Sequence, residues 1–240
     1  MRRSKIAGTA RRKDLPFLSL PVLSLPALSL PALFLLVGST LAPAAGAAAA
    51  EFVDYDYARW SQAVTECDRL AAHGRDPGAV APAVSRGDMD KPAAIASCTA
   101  AVAADPDNPR LNYQLGRAYG YSGRGEEAMP YRLKAVAQDY PQSLFVIGYL
   151  HLLGQTIEQD ACRARDLWLR AARYQRLAAL VALPKHELDG DFAACGAPVP
   201  AATLRAFLEK AQALSGDYYL GLLIDELLQD LDRAGAEPGS

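Results

Sequence analysis

The sequence predicts an all-α fold of stacked antiparallel helix pairs, an α-solenoid. Apolar residues recur at helical spacing through most of residues 51–240. Alternating apolar and polar runs bounded by hairpin turns, which would predict strands, are scarce. A short motif of small and bulky residues also returns at nearly regular intervals, starting at Ala94, Ala128, Ala164 and Leu204. Intervals of this length are typical of arrays in which each helix pair packs on the next.

Residues 1–50 predict a secretory signal peptide. Six basic residues and one acid precede an uncharged stretch at 15–50, and a run of alanines ends the segment before Glu51. A basic start, an apolar middle and a small-residue end are typical of such signals. Cleavage after Ala48, Ala49 or Ala50 fits this pattern, and we expect it after Ala50. The alternative is an uncleaved membrane anchor, although three regularly spaced prolines make a spanning helix unfavourable.

The remaining residues carry 19 basic and 26 acidic side chains, a net charge of −7. No basic patch dominates them, which argues against nucleic acid or an anionic membrane surface as the partner. Their number suits one domain with a sizeable core. The style of the targeting segment is bacterial, so we expect the protein in the periplasm or outside the cell.

Helical spacing and turn signals divide the chain into four parts. Residues 1–50 form the signal peptide, 51–91 an N-terminal helix with a connecting loop, 92–233 the solenoid and 234–240 a frayed tail. Nine helices are predicted, over about 57–71, 92–104, 109–121, 126–138, 141–153, 158–173, 176–187, 201–214 and 217–233.

Local signals fix several of these boundaries. In the first helix, aromatic and small residues between Tyr57 and Ala71 fall on one face. Asn108 followed by Pro109 is a helix cap with proline in the first turn, which starts the third helix. Gly154 ends the fifth helix, because glycine readily adopts the left-handed conformation at a helix C-terminus.

The recurring motif places a small residue, a bulky residue four positions later and a small residue three positions after that. Small residues let two helices approach closely, and the bulky residue fills the groove between them. The copies, the last of them stretched, are Ala94-Cys98-Ala101, Ala128-Arg132-Ala135, Ala164-Trp168-Ala171 and Leu204-Leu208-Ala211.

Two stretches resemble known helical repeats. The pattern that starts at Leu115-Gly116 and includes Tyr119, Gly123, Ala128 and Ala135 resembles a tetratricopeptide repeat. A second pattern is similar to the related Sel1-like repeat, and its residues are Gly148, Gly154, Ile157, Asp160, Ala164, Trp168, Ala171 and Ala172. The resemblance covers about residues 92–174 well and 175–233 loosely. It implies an α-solenoid that binds other proteins or peptides and carries out no chemistry of its own.

The same resemblance implies a partner-binding groove on the first helix of each pair. Its positions on the third helix form one helical stripe, and the next pair contributes a more apolar continuation. Arginine and tyrosine are frequent in binding hot spots, and arginine can hold a carboxylate with two hydrogen bonds. The alternative is a solvated arginine face with the tyrosines stacked on their neighbours. The candidate residues are Arg110, Tyr113, Arg117, Tyr121, Phe145 and Tyr149.

Four cysteines in an oxidising compartment predict disulfide bonds. Three pairings are open, and we expect neighbours to pair, Cys67 with Cys98 and Cys162 with Cys195. The first bridge would clip the N-terminal helix onto the solenoid. The alternative is four buried, reduced cysteines. No Cys-x-x-Cys motif is present, which argues against an oxidoreductase.

Motifs for catalysis are lacking in the sequence. It has no nucleophile elbow and no phosphate-binding loop, and its three histidines give little material for a triad or a zinc site. His186 with the acids from Glu187 to Asp191 could form a cation site, and a solvated helix end explains the same residues. We therefore expect an exported, non-enzymatic interaction module without a cofactor or metal. The alternatives are a membrane-anchored assembly factor of the same fold and a metal-binding protein or hydrolase centred on His186.

Intact mass spectrometry of the protein purified from its producing cells tests both processing and bridging. We expect the mass of a chain that begins at Glu51 and a gain of four hydrogen atoms on reduction, because cleavage removes the signal and two bridges open. A mass that includes the segment 1–50 would contradict cleavage, and an unchanged mass on reduction would contradict the bridges.

Overall fold

The structure, a computed structural model, describes residues 50–236. A helix occurs in each region of this range where the sequence predicts one. Residues 1–49, all but the last residue of the predicted signal peptide, lie outside the described residues. No strand occurs between residues 50 and 236, so the all-α prediction is confirmed there. The helices are α1 (Glu66–Ala71), α2 (Lys91–Ala104), α3 (Pro109–Tyr121), α4 (Gly125–Val136), α5 (Pro141–Leu153), α6 (Ala161–Arg173), α7 (Leu177–Leu188), α8 (Ala201–Leu214) and α9 (Tyr218–Ala236).

The helices stack in chain order, as a solenoid requires. Each helix packs against the next, and α3 with α4 and α5 with α6 form the most extensive pairs. The last helix, α9, closes the stack against α7 and α8. It buries Ile224, Leu227 and Leu231, while Tyr218 and Leu222 on its outer side are exposed. The predicted solenoid of antiparallel pairs is therefore the observed architecture.

Close contact between paired helices depends on the predicted small and bulky residues. Gly148 of α5 faces Trp168 of α6, whose indole N–H donates to the carbonyl oxygen of Phe145 over 2.9 Å. A Cβ atom at position 148 would lie 2.5 Å from the Trp168 ring. Gly116 of α3 faces Arg132 of α4 in the same way. Each glycine thus leaves the space that the bulky residue of the partner helix fills.

The N-terminal segment, residues 50–90, corrects the first predicted helix. Only a single 3-10 turn at Tyr57–Arg59 and the six-residue helix α1 are helical between residues 57 and 71. The Thr65 side chain accepts from the backbone N–H of Asp68, and the Asp68 carboxylate accepts from the backbone N–H of Thr65. This capping box starts the helix after Thr65 and not at Tyr57. The residues before Thr65 instead follow the edge of the stack.

Two further boundaries differ from the prediction. Helix α6 begins at Ala161 and not near 158, because Asp160 caps it by accepting from the backbone N–H of Arg163 over 2.8 Å. Helix α9 continues through Ala236, three residues beyond the predicted helix end at 233. Residues 237–240 lie outside the described range.

The two disulfide bonds follow the neighbour pairing. Cys67 of α1 is joined to Cys98 of α2, and Cys162 of α6 to Cys195 in the loop before α8. Cys67 and Cys98 are fully buried. Arg165 reinforces the second bridged loop, because it donates to the carbonyl oxygen of Cys195 over 3.0 Å. Both bridges thus tie irregular or short elements to long helices.

Gly148→Ala should lower the free energy of unfolding by about 1–3 kcal/mol, because the added methyl group overlaps the Trp168 ring. Chemical denaturation monitored by circular dichroism measures this change. The matched control is Gly221→Ala in α9, where an added Cβ meets nothing within 4 Å and alanine favours the helix. Equal stability of the two variants would contradict the packing described for α5 and α6.

Candidate functional site

The predicted groove residues of α3 are buried, and the chain itself covers them. The solvent-exposed fractions of Arg110, Tyr113 and Arg117 are 3%, 3% and 4%. Their side chains turn toward the N-terminal segment, as the hydrogen bonds of both arginines show. We call the side of the stack contributed by the first helices α3, α5 and α7 the inner face. Residues 61–84 of the N-terminal segment lie on the part contributed by α3.

Arg110 binds both the main chain and a carboxylate of this segment. Its guanidinium donates to the carbonyl oxygens of Ser61 over 3.3 Å and Ala63 over 3.2 Å. It also forms an ion pair with Asp68, with Nε 2.9 Å from Oδ1, and both side chains are buried. Gln114 donates to the same carboxylate over 2.9 Å. The buried charge of Asp68 is thus paired and hydrogen-bonded, as burial requires.

Arg117 binds only main-chain oxygens. Its guanidinium donates to the carbonyl groups of Ala71 over 2.8 Å, Ala72 over 3.0 Å and Val84 over 2.6 Å. Three carbonyl groups held by one side chain fix the backbone of the segment irrespective of its side chains. The predicted open groove at Arg110, Tyr113 and Arg117 is therefore corrected, because residues of the same chain already occupy their hydrogen-bonding groups.

The remaining groove candidates are more accessible. Tyr121 is half-buried between the guanidinium groups of Arg86 and Arg117, which lie 5.2 and 4.9 Å from its ring centre. Phe145 of α5 is half-buried against Trp168, and Tyr149 on the next turn is exposed. The inner face is thus closed over α3 and open along the second half of α5.

A chain of polar side chains crosses the inner face between the helix pairs. Gln142 of α5 donates to the hydroxyl of Tyr113 over 2.9 Å and accepts from Nε of Arg176 over 2.6 Å. The hydroxyl of Tyr140 donates to the carboxylate of Asp76, with distances of 2.9 and 2.8 Å to its oxygens. These contacts connect α3, α5 and the start of α7 with the loop after α1.

Burial shifts the pKa values of two groups in this loop in opposite directions. For Asp76, burial raises the pKa of the carboxyl group from 3.8 to about 6, although bonds from Gly78 and Tyr140 favour the ionised form. For His73, burial and the nearby charge of Arg117 lower the pKa of the imidazole from 6.5 to about 4. At neutral pH the loop therefore contains an ionised Asp76 and an uncharged His73.

The candidate cation site at the end of α7 is only partly assembled. His186, Asp189 and Asp191 place ligand atoms within 4.8 Å of one another. Nδ1 of His186 lies 2.6 Å from the Asp191 carboxylate, and Asp189 pairs with Lys185. Glu187, which the sequence suggested as a fourth ligand, points to the interior and pairs with Arg165 over 2.5 Å. The hydrogen bond between His186 and Asp191 and the ion pair between Lys185 and Asp189 account for the arrangement without a metal ion.

Sequence reasoning missed Asp68, Asp76, Gln114 and Arg176, which carry the polar contacts of the inner face. The Thr65-x-x-Asp68 spacing is a capping-box pattern and could have located the start of α1. The others give no local signal, because their partners lie on other elements, far away in the chain.

Comparisons with known proteins concern the fold. No protein-family model matches this chain, and no curated protein matches it. A Sel1 repeat protein from Oxalobacter formigenes has a similar solved structure, with 23% identity over 58% of this chain and a TM-score of 0.46. A protective antigen of uropathogenic Escherichia coli strains that displays an SLR fold is similar over 62% of this chain, with 18% identity and a TM-score of 0.47.

This chain covers 40% and 31% of the lengths of those two proteins. The first belongs to the Sel1 repeats that the sequence resembles, and the second displays the SLR fold. At these identities the likeness concerns the fold, and the assignment of an all-α stack of helix pairs rests on the packing described above.

The opposed pKa shifts predict how stability depends on pH. The folded protein keeps the Asp76 proton between about pH 4 and 6 while the unfolded chain releases it, so this group lowers stability as the pH rises. For His73 the unfolded chain takes up the proton first as the pH falls, so this group raises stability as the pH rises from about 4 to 6.5.

Asp76→Asn removes this loss. As the pH rises from 4 to 6, the free energy of unfolding of the variant should therefore increase by about 2 to 3 kcal/mol relative to that of the parent. His73→Gln should change in the opposite direction over the same range. Urea denaturation at several pH values measures both differences. If the free energy of unfolding of both variants changed with pH in the same way as that of the parent, neither group would be buried as described.

Proposed function

We propose that the protein is an exported, non-enzymatic scaffold that binds a protein or peptide on the inner face of its helix stack. One observation carries the proposal: α3 already holds a polypeptide segment of this chain by its main-chain carbonyl groups. Arg117 contacts three carbonyl groups of the N-terminal segment, and Arg110 contacts two more. Recognition of main-chain oxygens does not depend on side chains, so the same face suits other polypeptides as well.

The open part of the inner face is the proposed partner site. Tyr149 is 47% exposed on α5, and Leu153 is exposed one turn further on the same side. Phe145 supports this surface from below through its contact with Trp168. Tyr149 is an aromatic side chain on a helix, next to the part of the inner face that the N-terminal segment covers. A partner could bind there beside the N-terminal segment without displacing it.

Two alternatives make different demands on the chain. A membrane-anchored assembly factor would retain the segment 1–50. Within residues 50–236, no helix combines the length and the apolar character that crossing a membrane requires. A metal-binding protein or hydrolase would use His186 with Asp189 and Asp191, and metal analysis of the purified protein tests it directly.

In-cell photo-crosslinking tests the scaffold proposal. A photoreactive residue at position 149 should capture a defined partner, whereas one at Leu133, 48% exposed on α4, should not. In the test of affinity, Tyr149→Ala should lower capture from a probe at position 153 by about thirtyfold, since a hot-spot aromatic contributes about 2 kcal/mol.

Leu133→Ala is the matched control and should leave capture from position 153 unchanged. Both variants must show the helicity of the parent by circular dichroism. Equal capture from positions 133 and 149 would move the partner off the inner face. No specific capture from either position would contradict the scaffold function.

A further inference from the structure

A cleft opens beside the loop that follows α1, where that loop meets the start of α7 and the connection between α8 and α9. Its volume is about 490 Å³, which is in the range of small-molecule sites. Three segments form its walls, namely the loop 74–77, the start of α7 at 175–177 and the connection between α8 and α9 at 214–217. Leu220 of α9 completes it. These segments are far apart in sequence, and the cleft exists only in the folded chain.

Arg176 is the principal polar side chain of the cleft. It is only 3% exposed, and its guanidinium is held in place by the bond from Nε to Gln142 and by the Phe145 ring 5.4 Å from its central carbon. Among residues 50–236, neither terminal nitrogen of this guanidinium donates to an acceptor or lies in an ion pair. Neither nitrogen is completely enclosed, so an acceptor in the cleft, either water or a ligand, can reach them.

Two other features bring positive charge to the same place. The exposed guanidinium of Arg75 lines the cleft and forms no ion pair with any described residue. Helix α7 begins at Leu177 without a side-chain cap, so the backbone N–H groups of Leu177 and Ala178 have no acceptor within the helix. The positive end of the α7 dipole thus adds to both arginines.

The two acids of the cleft are engaged elsewhere. Asp76 accepts from the Tyr140 hydroxyl and from the backbone N–H of Gly78, and Asp217 accepts from the backbone N–H of Leu220 as the cap of α9. Neither forms an ion pair with Arg75 or Arg176 within the described part of the chain, although the charges of Asp76 and Arg176 attract each other at longer range. The negative charges of Asp76 and Asp217 offset the positive charges of Arg75 and Arg176 in the cleft as a whole. We therefore expect the cleft to favour a ligand with one negative charge over a dianion.

We propose that this cleft binds a carboxylate attached to a short apolar group. The two free nitrogens of Arg176 match the two oxygens of a carboxylate, and Arg75 and the start of α7 supply further donors. Leu177, Leu214 and Leu220 provide an apolar wall for the rest of the ligand. A free aliphatic acid and the C-terminal residue of a peptide share this chemistry. The site does not depend on the scaffold proposal.

Isothermal titration calorimetry of the purified, disulfide-bonded protein tests the site with N-acetyl-leucine as the probe. We expect saturable 1:1 binding of the acid and binding about tenfold weaker for N-acetyl-leucinamide, which has the same side chain without the charge. Inorganic phosphate should not displace the acid. Equal affinity for the acid and the amide, tighter binding of phosphate or no heat of binding for the acid would overturn the proposal.

Variants separate the site from the fold. Arg75→Ala removes an exposed guanidinium and should weaken binding about tenfold. Gly216→Phe places a ring in the cleft without strain, because an added Cβ at this position meets nothing within 4 Å, and it should abolish binding. Arg69→Ala, which removes an exposed arginine on α1, is the matched control and should bind like the parent. Unchanged binding in the two cleft variants would place the probe elsewhere and overturn the site.

A second pair of probes identifies the source of the carboxylate. A tetrapeptide that ends in leucine should bind more tightly than N-acetyl-leucine if the natural ligand is a peptide C-terminus, and its C-terminal amide should bind at least about tenfold more weakly. Equal affinity of the peptide acid and N-acetyl-leucine would indicate a small free acid. Both results support the proposed chemistry, and an amide that binds like the acid would overturn it.

Discussion

The guanidinium groups of Arg110 and Arg117 hold the N-terminal segment to the helix stack, and the interior of the first helix pair depends on these bonds. Helix α1 has only six residues and could not persist alone. Its position comes from the buried pair between Arg110 and Asp68, from carbonyl groups held by Arg117, and from the bridge of Cys67 to Cys98. Loss of either partner of the pair would leave an uncompensated charge inside the protein.

The features that the sequence predicted well are local. Asn108 with Pro109 and Gly154 mark helix ends through the conformations of a few consecutive residues, and the observed ends of α3 and α5 match. The small and bulky residues of paired helices could also be predicted, because they recur at fixed spacing. Gly148 opposite Trp168 shows that the spacing reports a real close approach.

The features that the sequence predicted poorly depend on contacts between distant residues. The stripe at Arg110, Tyr113 and Arg117 has the expected helical spacing, but its occupant comes from 33 to 49 residues earlier in the chain. Tyr57 has helical spacing to later apolar residues, and Tyr55 lies just before it in the chain. They instead contact Tyr140 and Tyr174 at the junctions between helix pairs. Arg176 has no distinguishing neighbour in sequence, and only folding places it beside Arg75.

The path of residues 52–61 also changes how the whole array must come apart. Phe52 packs on Phe207 of α8, Val53 donates to Arg173 at the end of α6, Tyr55 donates to Gln138 after α4, and Arg110 of α3 donates to Ser61. In an ordinary solenoid each unit contacts only its neighbours, so the ends can melt while the middle persists. Here the short stretch 52–61 contacts several successive helix pairs and connects them to one another. We therefore expect the described helices to unfold together as one cooperative unit, and folding to include closure between residue 52 and α8, which are far apart in the chain.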